Sequence, residues 1–277
     1  MHAGFFIDER TDGMTVVERQ TATPELAGKR ALVTGGTRGI GAGVVRHLLD
    51  AGAEVLTTAR SAASTAPEGA AFVAADVRSQ AGARTLAEAA QDLLGGVDIV
   101  VHNVGGAQPY EGSAAIPDEE WQDALDLNYL ASVRLDALLT PGMRERGWGR
   151  IVHISSAAVL SPEVTMFLHY AAAKAALVTY SRGLALELAP FGVRVNTVSP
   201  GRVDTPGGVE TRQRWAEVAT RMGIAPEESD AEDVTVPVGR DGRPEDIADA
   251  VLFLVSERAS WLTGRNLIID GGEFPMG

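Results

Sequence analysis

Seven short runs rich in β-branched and apolar residues recur along this chain, each separated from the next by turns or longer stretches of helical character. The runs are RALVT at 30–34, AEVLTT at 53–58, AAFVAA at 70–75, VDIVVH at 97–102, GRIVHIS at 149–155, VRVNTVS at 193–199 and NLIID at 266–270. They are nearly continuous in apolar character, the pattern of strands covered on both faces. Between them lie IGAGVVRHLLDAG, SQAGARTLAEAAQDLL, DEEWQDALDLNYLASVRLDALL, YAAAKAALVTYSRGLALELA and PEDIADAVLFLVS. Strands alternating with helices predict a parallel sheet with helices packed on both sides. The expected fold is a three-layer α/β/α domain over 26–277, with a doubly wound sheet of seven strands and no linker-like tract dividing it. Residues 1–25 read as a flexible N-terminal extension. The long excursion at about 201–240 reads as a substrate loop that closes over a site.

Composition removes several function classes. A net charge of −13 argues against a nucleic-acid or anionic-membrane partner, although a small anion is still acceptable to a locally basic site. No run approaches the ~18 uninterrupted apolar residues of a membrane helix, and no basic start precedes an apolar one, so a cytoplasmic location is expected. The chain has no cysteine, hence no thiolate nucleophile or Cys-based metal site. Its five histidines lack metalloenzyme spacing, so no metal is expected.

The first predicted strand runs into TGGTRGIG, residues 34–41, and then into a helix. Gly35, Gly39 and Gly41 allow a tight turn and close backbone approach. The helix that follows offers unpaired N–H groups and the positive end of its dipole to a pyrophosphate. A dinucleotide site that binds the ribose 2′-OH carries an acid after its second strand. Here that strand ends in Ala59 and Arg60, and Arg38 lies within the glycine turn. Two arginines in place of an acid point to the 2′-phosphate of NADP(H). Asp76 is placed either to accept a bond from an adenine amino group or to cap the next helix.

A second pattern is YAAAK at 170–174. Tyr170 and Lys174 lie one helical turn apart and project from one face, with only alanines between. Lysine is rare in this chain: of 24 basic residues only Lys29 and Lys174 are lysines. A compact ammonium at Lys174 is not interchangeable with a guanidinium fork.

Taken in order, TGGTRGIG, the DV at 76–77, HNVGG at 102–106, Asn128, ISS at 154–156, YAAAK, SPGRVDT at 199–205, PEDIADAVLFL and LTGRNLIIDGG resemble the short-chain dehydrogenase/reductase family from Leu26 to Gly272. The resemblance implies a catalytic tetrad of Asn128, Ser156, Tyr170 and Lys174, with Ser155 the alternative serine. Tyr170 would be the proton donor in carbonyl reduction, its phenol lowered by the Lys174 ammonium. Ser156 would hold the substrate oxygen, and Asn128 a water. The resemblance also implies cofactor contacts from Gly35, Thr37, Arg38, Gly39, Ile40, Gly41, Arg60, Asp76, Val77, Asn103, Gly105, Pro200, Gly201, Val203 and Thr205, besides Tyr170 and Lys174. Two departures stand out: His102 replaces an asparagine before Asn103, and His153, where asparagine is common, reads as a hydrogen-bonded core residue.

The implied function is an NADP(H)-dependent oxidoreductase interconverting a ketone and a secondary alcohol, on a medium-sized apolar or acyl-type substrate. Substrate-facing candidates are Gln108, Pro109 and Tyr110, residues 164–168 including Met166 and Phe167, and Trp215 with Met222. A non-redox epimerase, dehydratase or cyclase using the Tyr–Lys pair is the alternative, as is an NADP-binding regulatory protein. A homo-oligomer, tetramer or dimer, is expected through the apolar helices at 119–146 and 170–190. Docking of an acidic carrier protein is not favoured: Arg134 is suitably placed, but Phe191 stands where a second arginine is expected.

Overall fold

The computed structural model describes residues 4–8, 16–20, 24–160, 165–223 and 236–274. Within the N-terminal extension, β1 (Gly4–Asp8) and β2 (Val16–Gln20) pair antiparallel. The main sheet holds β3 (Arg30–Thr34), β4 (Glu54–Ala59), β5 (Ala71–Ala74), β6 (Ile99–His102), β7 (Gly149–Ile154), β8 (Val193–Pro200) and β9 (Asn266–Ile269). All its pairings are parallel, in the order β5-β4-β3-β6-β7-β8-β9. The chain therefore winds outward through β4 and β5 and returns to place β6 on the other side of β3. The crevice between the carboxyl ends of β3 and β6 is the switch point where such sheets bind ligands.

The helices are α1 (Gly39–Asp50), α2 (Gln80–Leu94), α3 (Asp118–Leu125), α4 (Ala131–Arg146), α5 (Leu168–Leu188), α6 (Pro206–Arg221) and α7 (Pro244–Val255). Side chains alternate across the strands, and the helices close both faces. Ala31 and Val33 of β3 pack with Val44 and Leu48 of α1 and with Ile247 and Val251 of α7. Leu32 between them faces the opposite core, with Leu86 of α2, Leu135 of α4 and Leu188 of α5. Of the excursion at 201–240, α6 is described, and residues 224–235 lie outside the described residues. Among the described residues no helix is long and apolar enough to cross a membrane.

The stretch predicted as one helix over 118–139 is interrupted. Between α3 and α4, Asp126–Leu130 form a turn of π-helix with Asn128 at its centre. The Asn128 amide nitrogen donates to the Ala124 carbonyl at 3.0 Å. It thereby occupies an acceptor that the helical backbone uses, which accounts for the local widening.

A polar knot sits in the core between β6, β7, α4 and α5. Asp136 is 1 % exposed. It accepts from His102 Nε2 at 2.8 Å, His153 Nε2 at 3.1 Å and the Tyr180 hydroxyl at 3.1 Å. His153 Nδ1 meets Ser181 Oγ at 3.0 Å. His153 is thus the hydrogen-bonded core residue anticipated from its position. Burial opposes ionisation of Asp136, yet the two imidazoles outweigh it and hold the carboxyl well below its ordinary range. The imidazoles are stacked, with centroids 4.8 Å apart and planes 14° from parallel. His102, Asp136 and His153 thus form a buried cluster whose ligand-capable atoms lie within 4.8 Å of one another, a grouping that the sequence spacing of the histidines did not announce. Asp136→Ala removes the acceptor of two buried imidazoles and of the half-buried Tyr180 hydroxyl. It should lower stability by about 3 kcal/mol or more, read as a fall in urea midpoint at unchanged slope.

Candidate active site

The glycine turn after β3 is shaped by backbone need. Gly35 and Gly39 have φ of +68° and +55°, where side-chain-bearing residues are strained. A Cβ at Gly41 would lie 2.3 Å from the Gly35 carbonyl oxygen, so the turn closes only around glycine. Asn103, just after β6, ties this turn to the switch point. Its amide nitrogen donates to the Thr34 and Gly35 carbonyls, both at 3.1 Å, and its backbone N–H to Thr34 Oγ1 at 3.0 Å. Asn103 therefore acts on the turn itself, and any effect on a bound nucleotide passes through the turn's shape. At the start of α1, Arg38 offers no side-chain cap and the first turn carries no acid. The N-terminal dipole end is left open, as a pyrophosphate requires.

The elements named for the rest of a dinucleotide converge here. Thr205 caps α6 by accepting from Gly208 N–H, and its side chain lies 3.3 Å from where a Cβ on Gly39 would stand. Val77 and Val203 are buried, and Thr37 and Ile40 are half-buried in the turn. Asp76 is not the cap of α2; Ser79 is, accepting from Gly82 N–H at 3.0 Å. The Asp76 carboxylate instead pairs with Arg78 at 2.7 Å, and that bond holds its pKa below the ordinary value. Arg60 is exposed and close enough to Asp76 to add to that lowering. Arg38 is 66 % exposed and stands 3.8 Å from Glu210 of α6. A pair so exposed is worth little and can be exchanged for a stronger anion.

The catalytic candidates meet at the carboxyl ends of β6 and β7. Helix α5 carries Tyr170 and Lys174 one turn apart. Lys174 is 2 % exposed, and its Nζ donates to the Ile154 carbonyl at the end of β7, 2.8 Å away. Burial alone depresses its pKa to about 7. Asn128 approaches from the π turn, its Oδ1 accepting from Gly106 N–H and its amide donating to Gly106 O, both at 3.0 Å. A Cβ at Gly105 would lie 2.9 Å from Lys174 Nζ and 3.0 Å from Asn128 Oδ1. Gly105 is thus the floor over which the ammonium and the amide come together.

The two serines separate cleanly. Ser155 is buried, and its hydroxyl donates to the Lys174 carbonyl at 3.2 Å. Ser156 accepts from the Ala158 N–H at 3.2 Å and stands close enough to the Tyr170 phenol to draw its pKa down. One electrostatic expectation changes: burial pushes the Tyr170 phenol up, and it is Ser156, not Lys174, that draws it the other way. Lys174 Nζ stands 5.9 Å from the Tyr170 ring centre, but with a pKa of about 7 it is discharged before so raised a phenol would ionise. Tyr170 consequently holds its proton at neutral pH, as a proton donor must.

On the substrate side, Tyr110 donates its backbone N–H to Met166 O at 3.0 Å and sets its ring edge-on to His169, and burial with the nearby Glu120 carboxylate pushes its phenol up. Met166 and Phe167 pack on Val218 and Ala219 of α6. Gln108 is exposed, as are Trp215 and Met222 on α6 and its C-cap. Residue 164 of the proposed substrate stretch lies outside the described residues. A cavity of about 160 Å³ opens beside Ser156, bounded by Pro200, Gly201 and Arg202 and by Glu273 and Phe274 after β9. Pro200 and Gly201 were expected at the site. Arg202 lies within SPGRVDT but was assigned no role, and Glu273 and Phe274 lie beyond the last motif.

The chain matches the family model described as enoyl-(acyl carrier protein) reductase over residues 35–273. It is 33% identical over 257 residues to a 3-oxoacyl-(acyl-carrier-protein) reductase of Vibrio cholerae, covering 90% of this chain and 98% of that protein. It is 36% identical over 262 residues to human dehydrogenase/reductase SDR family member 4, covering 91% and 90%. A bovine L-fucose dehydrogenase is 34% identical over 251 residues, 89% of each. With the glycine turn, the Tyr–Lys helix and the seven-stranded parallel sheet in place, the chain belongs to the short-chain dehydrogenase/reductase family and is an oxidoreductase of that type.

Proposed function

We propose that the chain is an NADP(H)-dependent oxidoreductase that reduces a ketone to a secondary alcohol, or runs the reverse reaction, with Asn128, Ser156, Tyr170 and Lys174 as its working groups. The observation that carries this reading is the placement of Ser156 beside the Tyr170 phenol, with the buried Lys174 one helical turn along the same helix and bonded to the Ile154 carbonyl. A nicotinamide cofactor supplies the hydride; the open α1 N-terminus and the glycine turn suit its pyrophosphate, and Gly105, Pro200 and Gly201 leave room near Tyr170. In reduction, Ser156 and Tyr170 hydrogen-bond the carbonyl oxygen, and Tyr170 gives its phenolic proton to that oxygen as negative charge develops there. Lys174, ionising near neutrality, stabilises the phenolate left behind, and Asn128 keeps the ammonium's surroundings polar through Gly106. An acyl carrier as partner is not supported, because Arg134 is committed to Asp126 at 2.6 Å and to the Arg78 carbonyl. The proposed location is cytoplasmic.

Tyr170→Phe removes only the transferable proton and should lower kcat for carbonyl reduction by at least a thousandfold, on the order of the ~10²–10⁴ of general acid catalysis. NADPH binding, followed by quenching of protein fluorescence, should change little. A variant with near-normal kcat would remove Tyr170 from the reaction.

The cofactor preference rests on Arg38 and Arg60. Each offers a charge-assisted bond to the 2′-phosphate worth ~1.5–3 kcal/mol when well formed, less where solvent reaches it. A clear, salt-sensitive preference for NADPH follows. Ala59→Asp combined with Arg60→Leu should reverse the ratio of kcat/KM for NADPH and NADH. A parent enzyme that already favours NADH would show these arginines to be surface charges.

A further inference from the structure

The wall of the cavity formed by the C-terminal segment has a polar construction that proton transfer does not need. The Asp270 carboxylate accepts from the N–H groups of Gly272 and Phe274, both at 2.9 Å, and fixes the turn after β9. That turn folds Glu273 back, so that its Oε2 accepts from the Arg202 N–H at 2.7 Å. Gly201 accommodates it: a Cβ there would lie 2.6 Å from Glu273 Oε2. The other carboxylate oxygen, Oε1, stands 4.0 Å from Arg202 Nε, beyond hydrogen-bond distance. Arg202 Nε in turn lies 3.8 Å from Asp241. One guanidinium between two carboxylates sums to −1 for these three groups, so the wall does not offer a spare positive charge. Glu273 is 19 % exposed at its side chain and borders the space next to Ser156. The space is small: about 160 Å³ is close to the ~150 Å³ of a cavity that takes up a benzene-sized molecule.

We propose that Glu273 is a specificity residue of the substrate cavity, selecting a small, neutral, hydroxyl-bearing ketone by accepting a hydrogen bond from its hydroxyl and repelling keto acids. The inference rests on the carbonyl-reductase reading above. A hydroxyl donor satisfies the acceptor capacity of Oε1, and Phe274 supplies an apolar face to the carbon skeleton. A ketone of the same size without a hydroxyl displaces water from that carboxylate oxygen and gives it no hydrogen bond in return, leaving only its long ion pair with Arg202, and a polar site discriminates against such a ligand. A substrate carboxylate would meet a wall already carrying excess negative charge.

The test uses the full-length protein with NADPH and three small probes: hydroxyacetone, the isosteric butanone, and pyruvate. Glu273→Gln keeps the side-chain volume and an oxygen for the Arg202 N–H, so the turn is retained, and circular dichroism with thermal unfolding checks this. The parent should prefer hydroxyacetone to butanone by about tenfold or more in kcat/KM. In Glu273→Gln that ratio should fall about tenfold, and the ratio of pyruvate to butanone should rise. Ratios that Glu273→Gln leaves unmoved, or a parent preferring butanone or pyruvate, overturn the role of Glu273 while ketone reduction stands. Absence of NADPH consumption with every ketone, including larger apolar ones, overturns the reductase reading and this inference with it.

Discussion

The site is arranged around one buried ammonium. Lys174 is almost fully withdrawn from water, and its single hydrogen bond among the described residues runs to a backbone carbonyl, that of Ile154. A carboxylate partner would make the charge permanent. Desolvation without one brings the lysine to about 7, where charged and neutral forms are nearly balanced. Several local features follow from housing that group. The strand β7 ends where its carbonyl meets Nζ, and Gly105 can be nothing larger because a Cβ would reach the ammonium. Helix α5 must hold Tyr170 one turn away, and the π turn at Asn128 brings an amide to the loop that passes over both.

The parallel sheet explains why these pieces can meet although they are far apart in sequence. Every strand of the main sheet delivers its carboxyl end to the same edge. The glycine turn, Asn103, Ser156, Pro200 and the turn after β9 are all loops at that edge. In the proposed reading, the glycine turn, Arg60 and Asp76 follow β3, β4 and β5, Ser156 follows β7, and Tyr170 and Lys174 reach the same edge from α5. The residues that bound the cavity follow β7, β8 and β9.

Much of this was legible in the sequence, for physical reasons that differ from element to element. The run RALVT matches β3 residue for residue, since a strand buried on both faces leaves a continuous apolar signature bounded by a glycine turn. Strands β5 and β6 are shorter than their apolar runs: Ala70 bonds back to Pro67 in the preceding turn, and Asp98 joins the backbones of Arg30 and Arg150 just before β6 begins. Asn128 was legible as a site residue, but not its π turn, which depends on where one amide finds its acceptors. Neighbouring serines could not be ranked from sequence; only three-dimensional placement gives Ser155 to the Lys174 backbone and Ser156 to the phenol. The Asp136 knot was unreadable beyond the single histidine anticipated as a core residue, since its donors come from β6, β7 and α5. Glu273 and Phe274 lie past the last recognisable motif, and their role emerges only when the chain returns to Ser156.

The scarcity of lysine makes the central claim directly measurable. With lysine ¹⁵Nζ-labelled, the protein has only two such resonances, and Lys29→Arg leaves Lys174 alone. Followed by NMR from about pH 5 to about pH 11, which brackets both the shifted and the unperturbed values, the remaining signal should titrate at about 7 in the cofactor-free protein. A Lys174 that stays charged until the pH of an ordinary lysine, ~10.4, would contradict the account, because the ammonium would then be neither desolvated nor poised near neutrality.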